Sequence, residues 1–222
     1  MVGTETLKLN RVDLGPPHDG VVGAGLTLRT NRGDIQAILH QASNTTNAVL
    51  WVGGAKGGFG GPAGGIYAIL GQELILQGIT SLRVTYRCPG SFLECVLDAL
   101  AGLLYLQGQG YLHVILVGHS FGGAVVITTA TLSHLVSGVV ALSSQTYGAQ
   151  NVARVSPLPL ILIHGEADRH LPPSCSRLIY SWAQEPKELV LLPGADHGLS
   201  GYGESLRDIL LEWIPKALKI TA

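Results

Sequence analysis

Charge is what this sequence has least of. Asp, Glu, Lys and Arg together make up 13% of its 222 residues, against about 25% in an average globular domain. The net charge is −1 and no stripe of Lys and Arg runs along any segment. Nucleic acid is therefore not an expected partner, because such binding rests on clustered positive charge. Long apolar runs are lacking too, although the mean hydropathy is +0.34. A membrane-spanning helix needs about 20 apolar residues in a row. The nearest approach, Ala99 to Val117, is split by Gln107-Gly108-Gln109-Gly110 and reads as helix, turn and strand, so no membrane span is expected. Cysteines number three, Cys88, Cys95 and Cys175. Without metal-type spacing, this odd set points to reduced thiols filling core positions in a cytoplasmic protein. Met1 to Lys8 shows no basic segment leading into an apolar one, which agrees with that localisation. Weak surface charge leaves room for a homo-oligomer interface or contact with lipid.

What the sequence has is glycine, 30 residues of it, and short apolar runs of strand length. Residues 1–20 are polar, carry Pro16-Pro17, and are expected to lie on the surface as an arm. Leu26–Thr30 and Asp34–His40 flank Asn31-Arg32-Gly33 as a hairpin. From there strands and helices alternate. Val49–Val52 is a strand, and Pro62–Gln77 a helix with Ile66, Ile69, Leu70 and Leu74 at helical spacing. Leu82–Tyr86 is a strand. Ser91-Phe92-Leu93-Glu94 has the pattern of a capping box opening a helix through Leu93, Val96, Leu97, Leu100 and Leu104. Strand Leu112–Val117 runs into a helix from Ser120 to about His134. Strands at Val139–Leu142, Leu158–His164 and Glu188–Leu192 follow, with helices near Pro173–Ala183 and around Leu206, Ile209, Leu210 and Trp213. This alternation predicts an α/β fold: a mostly parallel twisted sheet covered by helices on both faces, in one domain over residues 1–222. Ser143–Pro157 is too short to hold a lid domain.

Gly118-His119-Ser120-Phe121-Gly122 matches the G-x-S-x-G elbow and stands between a strand and a helix, as that turn requires. The turn is tight enough to exclude bulk at positions 118 and 122, and it delivers the hydroxyl to a helix N-terminus, where developing negative charge is favoured. A serine needs a base and an orienting acid. Both types follow at the ends of later strands, in His164-Gly165-Glu166-Ala167-Asp168 and in Gly194-Ala195-Asp196-His197-Gly198. Ser120 is thus the expected nucleophile, His197 the base and Asp168 the acid. Glu166 is the rival acid and Asp196 a weaker one. His164 is expected to be structural, His119 and His170 to flank the site, and His18, His40, His113 and His134 to have surface or core roles. No residues show metal-ligand spacing, and no metal or cofactor is expected.

The glycine-rich loop Gly53–Gly61 fails as a phosphate cradle, since Lys56 lacks a following Ser or Thr and the next strand ends in Tyr86-Arg87-Cys88 rather than an acid. It fits instead the loop that supplies one backbone N–H to an oxyanion hole. That assigns the hole to Phe121 and to Ala55 or Gly54.

On the elbow, the segment Ile163–Asp168 with Leu171-Pro172 behind it, and Gly194–His197, the chain resembles the α/β-hydrolase superfamily over about residues 24–218. It is most similar to compact lidless members related to dienelactone hydrolases and small carboxylesterases. It differs in two places. Many members have His-Gly where this chain has Gly53-Gly54, and dienelactone hydrolases use a cysteine where Ser120 stands, so their lactone chemistry is not carried over. The resemblance implies a serine hydrolase acting on a small carboxylic ester or thioester through an acyl-enzyme. Phe59, Tyr86, Phe121, Tyr147, His170, Leu171 and Tyr202 are candidates for the pocket, with Lys56 or Arg87 meeting an anionic substrate. Two rivals stay open. One is acyl transfer to another acceptor, or haloperoxidase-like chemistry, on the same residues. The other is a hydrolase fold kept as a non-catalytic binding module.

Overall fold

The computed structural model describes residues 7–16 and 23–220. Their apolar strands are paired into a nine-stranded sheet in the order β1-β2-β3-β5-β4-β6-β7-β8-β9. The strands are β1 Leu9–Gly15, β2 Ala24–Thr30, β3 Gly33–His40, β4 Asn47–Val52, β5 Thr80–Val84, β6 His113–His119, β7 Val136–Leu142, β8 Leu160–Gly165 and β9 Lys187–Leu192. From β1 to β5 the neighbours are antiparallel, and from β5 through β4 to β9 they are parallel. The helices are α1 Ile66–Glu73, α2 Phe92–Gly108, α3 Phe121–Ala130, α4 Ser174–Trp182 and α5 Gly203–Ala217.

Because side chains alternate across a strand, β4 sends Ala48, Leu50 and Val52 into the core beneath α2 and α3. Val49 and Trp51 go into the core beneath α1 and α5. Trp51 is wholly buried and its ring lies 4.9 Å from that of Tyr67. β6, β7 and β8 divide their residues in the same way. Strands buried on both faces have no polar side to show, so their sequences are continuously apolar. α3 is buried over almost its whole circumference, as expected of a helix that is apolar all round. No helix of the described residues is long and apolar enough to cross a membrane.

The expected alternation of strands and helices is present, with shifted ends. The helix expected over 62–77 is α1 followed by a 3₁₀ turn at Leu74–Gln77, and Ile69 is about half exposed rather than buried. Between β7 and β8 stands only a 3₁₀ turn, Val152–Val155. Of the residues expected to form a surface arm, 9–15 are β1, an edge strand that pairs with β2 and packs Leu9 and Val12 against the core. Residues 1–6 and 17–20 of that arm, with His18, lie outside the described residues.

The capping box is not formed. Ser91 is the N-cap of α2 but makes no side-chain cap. Glu94 turns instead to Arg32 and Arg87, because two guanidinium groups attract a carboxylate more strongly than one backbone N–H does. Cys95 fills the core as expected, whereas Cys88 is exposed and Cys175 partly so, and all three are free thiols.

Candidate functional site

Ser120 closes β6 and opens α3, and its backbone is held at φ 58°, ψ −119°. A side chain seldom adopts such a φ without support from its surroundings. Here the support is close packing at the two glycines of the elbow. A Cβ on Gly118 would lie 2.1 Å from the carbonyl oxygen of Gly122, and one on Gly122 would lie 2.2 Å from that of Gly53. The Ser120 N–H donates to the Leu142 carbonyl of β7 at 2.8 Å. Phe121 is the first residue of α3, where a helix leaves its N–H groups without intrahelical partners.

His197 and Asp168 reach Ser120 from loops that are tied together beyond β8 and β9. The N–H of Ala167 donates to the carbonyl of Ala195 and that of Glu166 to Leu192, each at 2.9 Å. As a result His197 Nε2 lies 3.0 Å from Ser120 Oγ, and His197 Nδ1 lies 2.7 Å from Asp168 Oδ2. With the proton on Nδ1, the imidazole donates to the carboxylate and accepts from the hydroxyl. The Asp168 side chain is fully buried and that of His197 is 22% exposed. Burial pushes the Asp168 carboxyl up, but the hydrogen bond from His197 and the N–H groups of Leu171 and His170, at 2.9 and 2.8 Å, outweigh it and hold the group below its ordinary value. The two rival acids point elsewhere. Asp196 accepts the N–H of Ser200 at 2.8 Å, and Glu166 is exposed, 3.9 Å from Arg177.

His164, expected to be structural, stands behind the acid as a second histidine. His164 is wholly buried. Its Nε2 lies 3.1 Å from Asp168 Oδ2 and 2.9 Å from the Leu171 carbonyl, and its Nδ1 lies 2.7 Å from Ser176 Oγ. Two acceptors face Nε2 and one hydroxyl faces Nδ1, so the neutral ring carries its proton on Nε2 and accepts from Ser176. The signal available in sequence was the four-residue spacing of His164 and Asp168 across a strand end. His119 packs its ring 5.0 Å from that of His197 and donates from Nε2 to the His197 carbonyl at 2.9 Å. Burial pulls its pKa down to about 4, so it is a neutral prop.

The Gly53–Gly61 loop lies against the elbow. Tyr86 donates its hydroxyl to the Gly53 carbonyl at 3.0 Å, and Gly58 donates its N–H to Thr85 Oγ1 at 2.8 Å. A Cβ on Gly54 would be 3.8 Å from that of Ser120. Between loop and elbow is a half-open depression of about 370 Å³, lined by Gly53 to Gly57, Gly61, His119, Ser120, His170 and His197. A larger cleft of about 880 Å³, between Pro157, Trp213 and Leu218, lies at the amino ends of the strands, away from Ser120.

Of the residues expected to line the pocket, His170 does so, its ring 4.8 Å from that of His197. Lys56 lines it too, and the other candidates, Phe121 included, are not among its lining residues. Tyr86 is buried as the brace of Gly53 and stacks edge-on with Phe121. Tyr147 is largely exposed and meets Phe92. Phe59 offers its carbonyl to Arg83, Tyr202 donates to the Pro193 carbonyl, and Leu171 holds Asp168 through its backbone. Arg87 is not placed to meet a substrate. Its side chain is 6% exposed and is engaged by Asp98, Glu94 and the Arg32 carbonyl, because a buried guanidinium needs its donors satisfied.

The sheet order, the elbow and the lack of any lid among the described residues define a compact, lidless protein of α/β-hydrolase fold. Comparison with known proteins agrees. Residues 107–202 match the family described as phospholipase/carboxylesterase. The uncharacterized protein YfhR of Escherichia coli K12 is 34% identical over 124 residues, which are 51% of this chain and 44% of YfhR. The chain thus spans less than half the length of the curated relatives it matches. Among solved structures, Est1E from Butyrivibrio proteoclasticus is similar with a TM-score of 0.76 at 15% identity, over 88% of this chain and 99% of that one. XC6422 from Xanthomonas campestris, described as an α/β serine hydrolase without lid, is similar at 0.70 and 17%, over 90% and 99%. At these identities the likeness is one of fold.

Proposed function

We propose that the protein is a serine hydrolase that cleaves the carboxylic ester or thioester of a small substrate, with Ser120 as nucleophile, His197 as base and Asp168 as orienting acid. The observation that carries this reading is the continuous hydrogen-bonded path from Ser120 Oγ through His197 to Asp168, at 3.0 and 2.7 Å. Ser120 Oγ bonds to the substrate carbonyl carbon while its proton passes to His197 Nε2. The carbonyl oxygen, now negative, is met by the N–H of Phe121 and by the Gly54–Ala55 segment. The bond to the leaving oxygen or sulfur breaks as that atom takes the proton from His197. Water then attacks the acyl-enzyme, His197 accepts a water proton, and release of the acid returns a proton to Ser120. The match to the phospholipase/carboxylesterase family over residues 107–202 supports ester chemistry.

The test is labelling by a fluorophosphonate probe, together with turnover of 4-nitrophenyl esters of graded chain length. Wild type is expected to label and to hydrolyse the short members, and Ser120→Ala to do neither. Equal labelling of both proteins would overturn the assignment of the nucleophile. Labelling with product formed only on addition of an alcohol or amine would replace hydrolysis by acyl transfer.

A further inference from the structure

The wall of the depression at Ser120 restricts what it can accept. Its largest aliphatic side chain is that of Ala55, and the rest of the wall is glycine backbone, the imidazoles of His119, His170 and His197, and Lys56. A long acyl chain gains affinity by leaving water for an enclosing apolar surface, and this half-open wall has no bulky aliphatic side chain to enclose one. It also carries one lysine. Lys56 is exposed and takes part in no salt bridge among the described residues. Other charges near the site are placed differently. Arg169, beside His170, is exposed and is not among the residues that line the depression. Arg87 is held by Asp98 and Glu94, Asp196 accepts the Ser200 N–H, and Glu166 faces Arg177. Lys56 follows Gly54 by two residues, and Gly54 abuts Ser120. Lys56 lines the same depression as Ser120 and His197.

We propose that, granted Ser120 as the nucleophile, this site takes small esters bearing a carboxylate a few carbons from the scissile carbonyl, with Lys56 recognising that charge. A lysine at a half-open site attracts an anion while solvent still screens it. The contribution is about fivefold in kcat/KM, and it weakens with salt.

The experiment compares monomethyl glutarate with methyl pentanoate, which replaces the far carboxylate by a methyl group on a chain of equal length, by following proton release. Wild type is expected to prefer the glutarate ester. The ratio of the two kcat/KM values should fall about fivefold in Lys56→Ala, recover in Lys56→Arg and fall further in Lys56→Glu. A ratio near one in wild type, or one unchanged by Lys56→Ala, would overturn the anion preference while leaving hydrolysis in place. So would turnover of neither ester by an enzyme whose Ser120 still labels with fluorophosphonate. Failure of Ser120 to label would instead remove the hydrolase reading on which the proposal rests.

Discussion

At the scale of single residues, Asp168 Oδ2 receives two imidazoles, His197 at 2.7 Å and His164 at 3.1 Å. The first links the acid to the serine. The second fixes the carboxylate from behind and is itself fixed by Ser176. On the proposed mechanism, Asp168→Asn loses both the ring orientation and the charge facing the imidazolium. It is expected to lower kcat by about 10³–10⁴-fold with little change in KM, measured on a short 4-nitrophenyl ester. His164→Ala removes one donor from the carboxylate and leaves Ser176 unpartnered. The carboxylate is then less firmly oriented toward His197, so kcat on a short 4-nitrophenyl ester is expected to fall about tenfold with little change in KM. His164→Gln, which keeps an N–H near the position of Nε2, should restore it. An unchanged kcat in His164→Ala would show that His164 only packs. Ser120, His197 and Asp168 were legible in sequence because each stands just beyond a strand in a fixed order. His164 was harder to read, since its role depends on which way a buried ring faces. The places of the aromatic pocket candidates were hard to read for a related reason: nearness in sequence to a site residue does not fix side-chain direction, and Tyr86 and Tyr202 donate to backbone carbonyls.

At the scale of elements, the site depends on three segments in near contact, the end of β6, the start of α3 and the loop after β4. Gly122 is where they meet. Gly122→Ala would set a methyl group against the Gly53 carbonyl, so the loop and the elbow must separate. A loss of about 1–3 kcal/mol is expected from such overpacking, with fluorophosphonate labelling lost beyond what the stability change explains. Gly108, at the end of α2, has open space around its Cβ position. Gly108→Ala is expected to stabilise the chain by about 0.5–1 kcal/mol and leave labelling intact. Denaturant unfolding of the two variants beside wild type checks both. The buried strands and their helices were legible because apolar period and length are local properties. β1 was not, because an exposed edge strand keeps polar residues such as Asn10, Arg11 and Asp13 and is identified only by its partner β2. The capping box misled because Arg32, far away in the chain, competes for Glu94.

At the scale of the whole molecule, one buried and one partly buried histidine tie stability to pH. His40, in β3, is 3% exposed, and its Nε2 has no hydrogen-bond partner. Burial, aided by the charge of Arg83, pulls its pKa down from 6.5 to about 4. His119 is held down to about 4 in the same way, chiefly by burial. In the unfolded chain both titrate near 6.5, so between pH 6.5 and about 4 the unfolded state binds more protons than the folded one. Folding stability is therefore complete above 6.5 and falls as the pH drops to about 4, by up to about 3 kcal/mol for each ring. Asp168, whose folded pKa is depressed, adds a further loss only below about 3.8, as the pH falls through its folded value. His40→Leu keeps an apolar side chain of similar reach and has nothing to protonate. Urea unfolding at pH 7.5 and 5.0 is expected to show a smaller acid loss in this variant than in wild type, while Ser120 still labels at pH 7.5. An acid loss as large in His40→Leu as in wild type would assign the pH dependence to other groups, with His119, against the ring of His197, the first to examine.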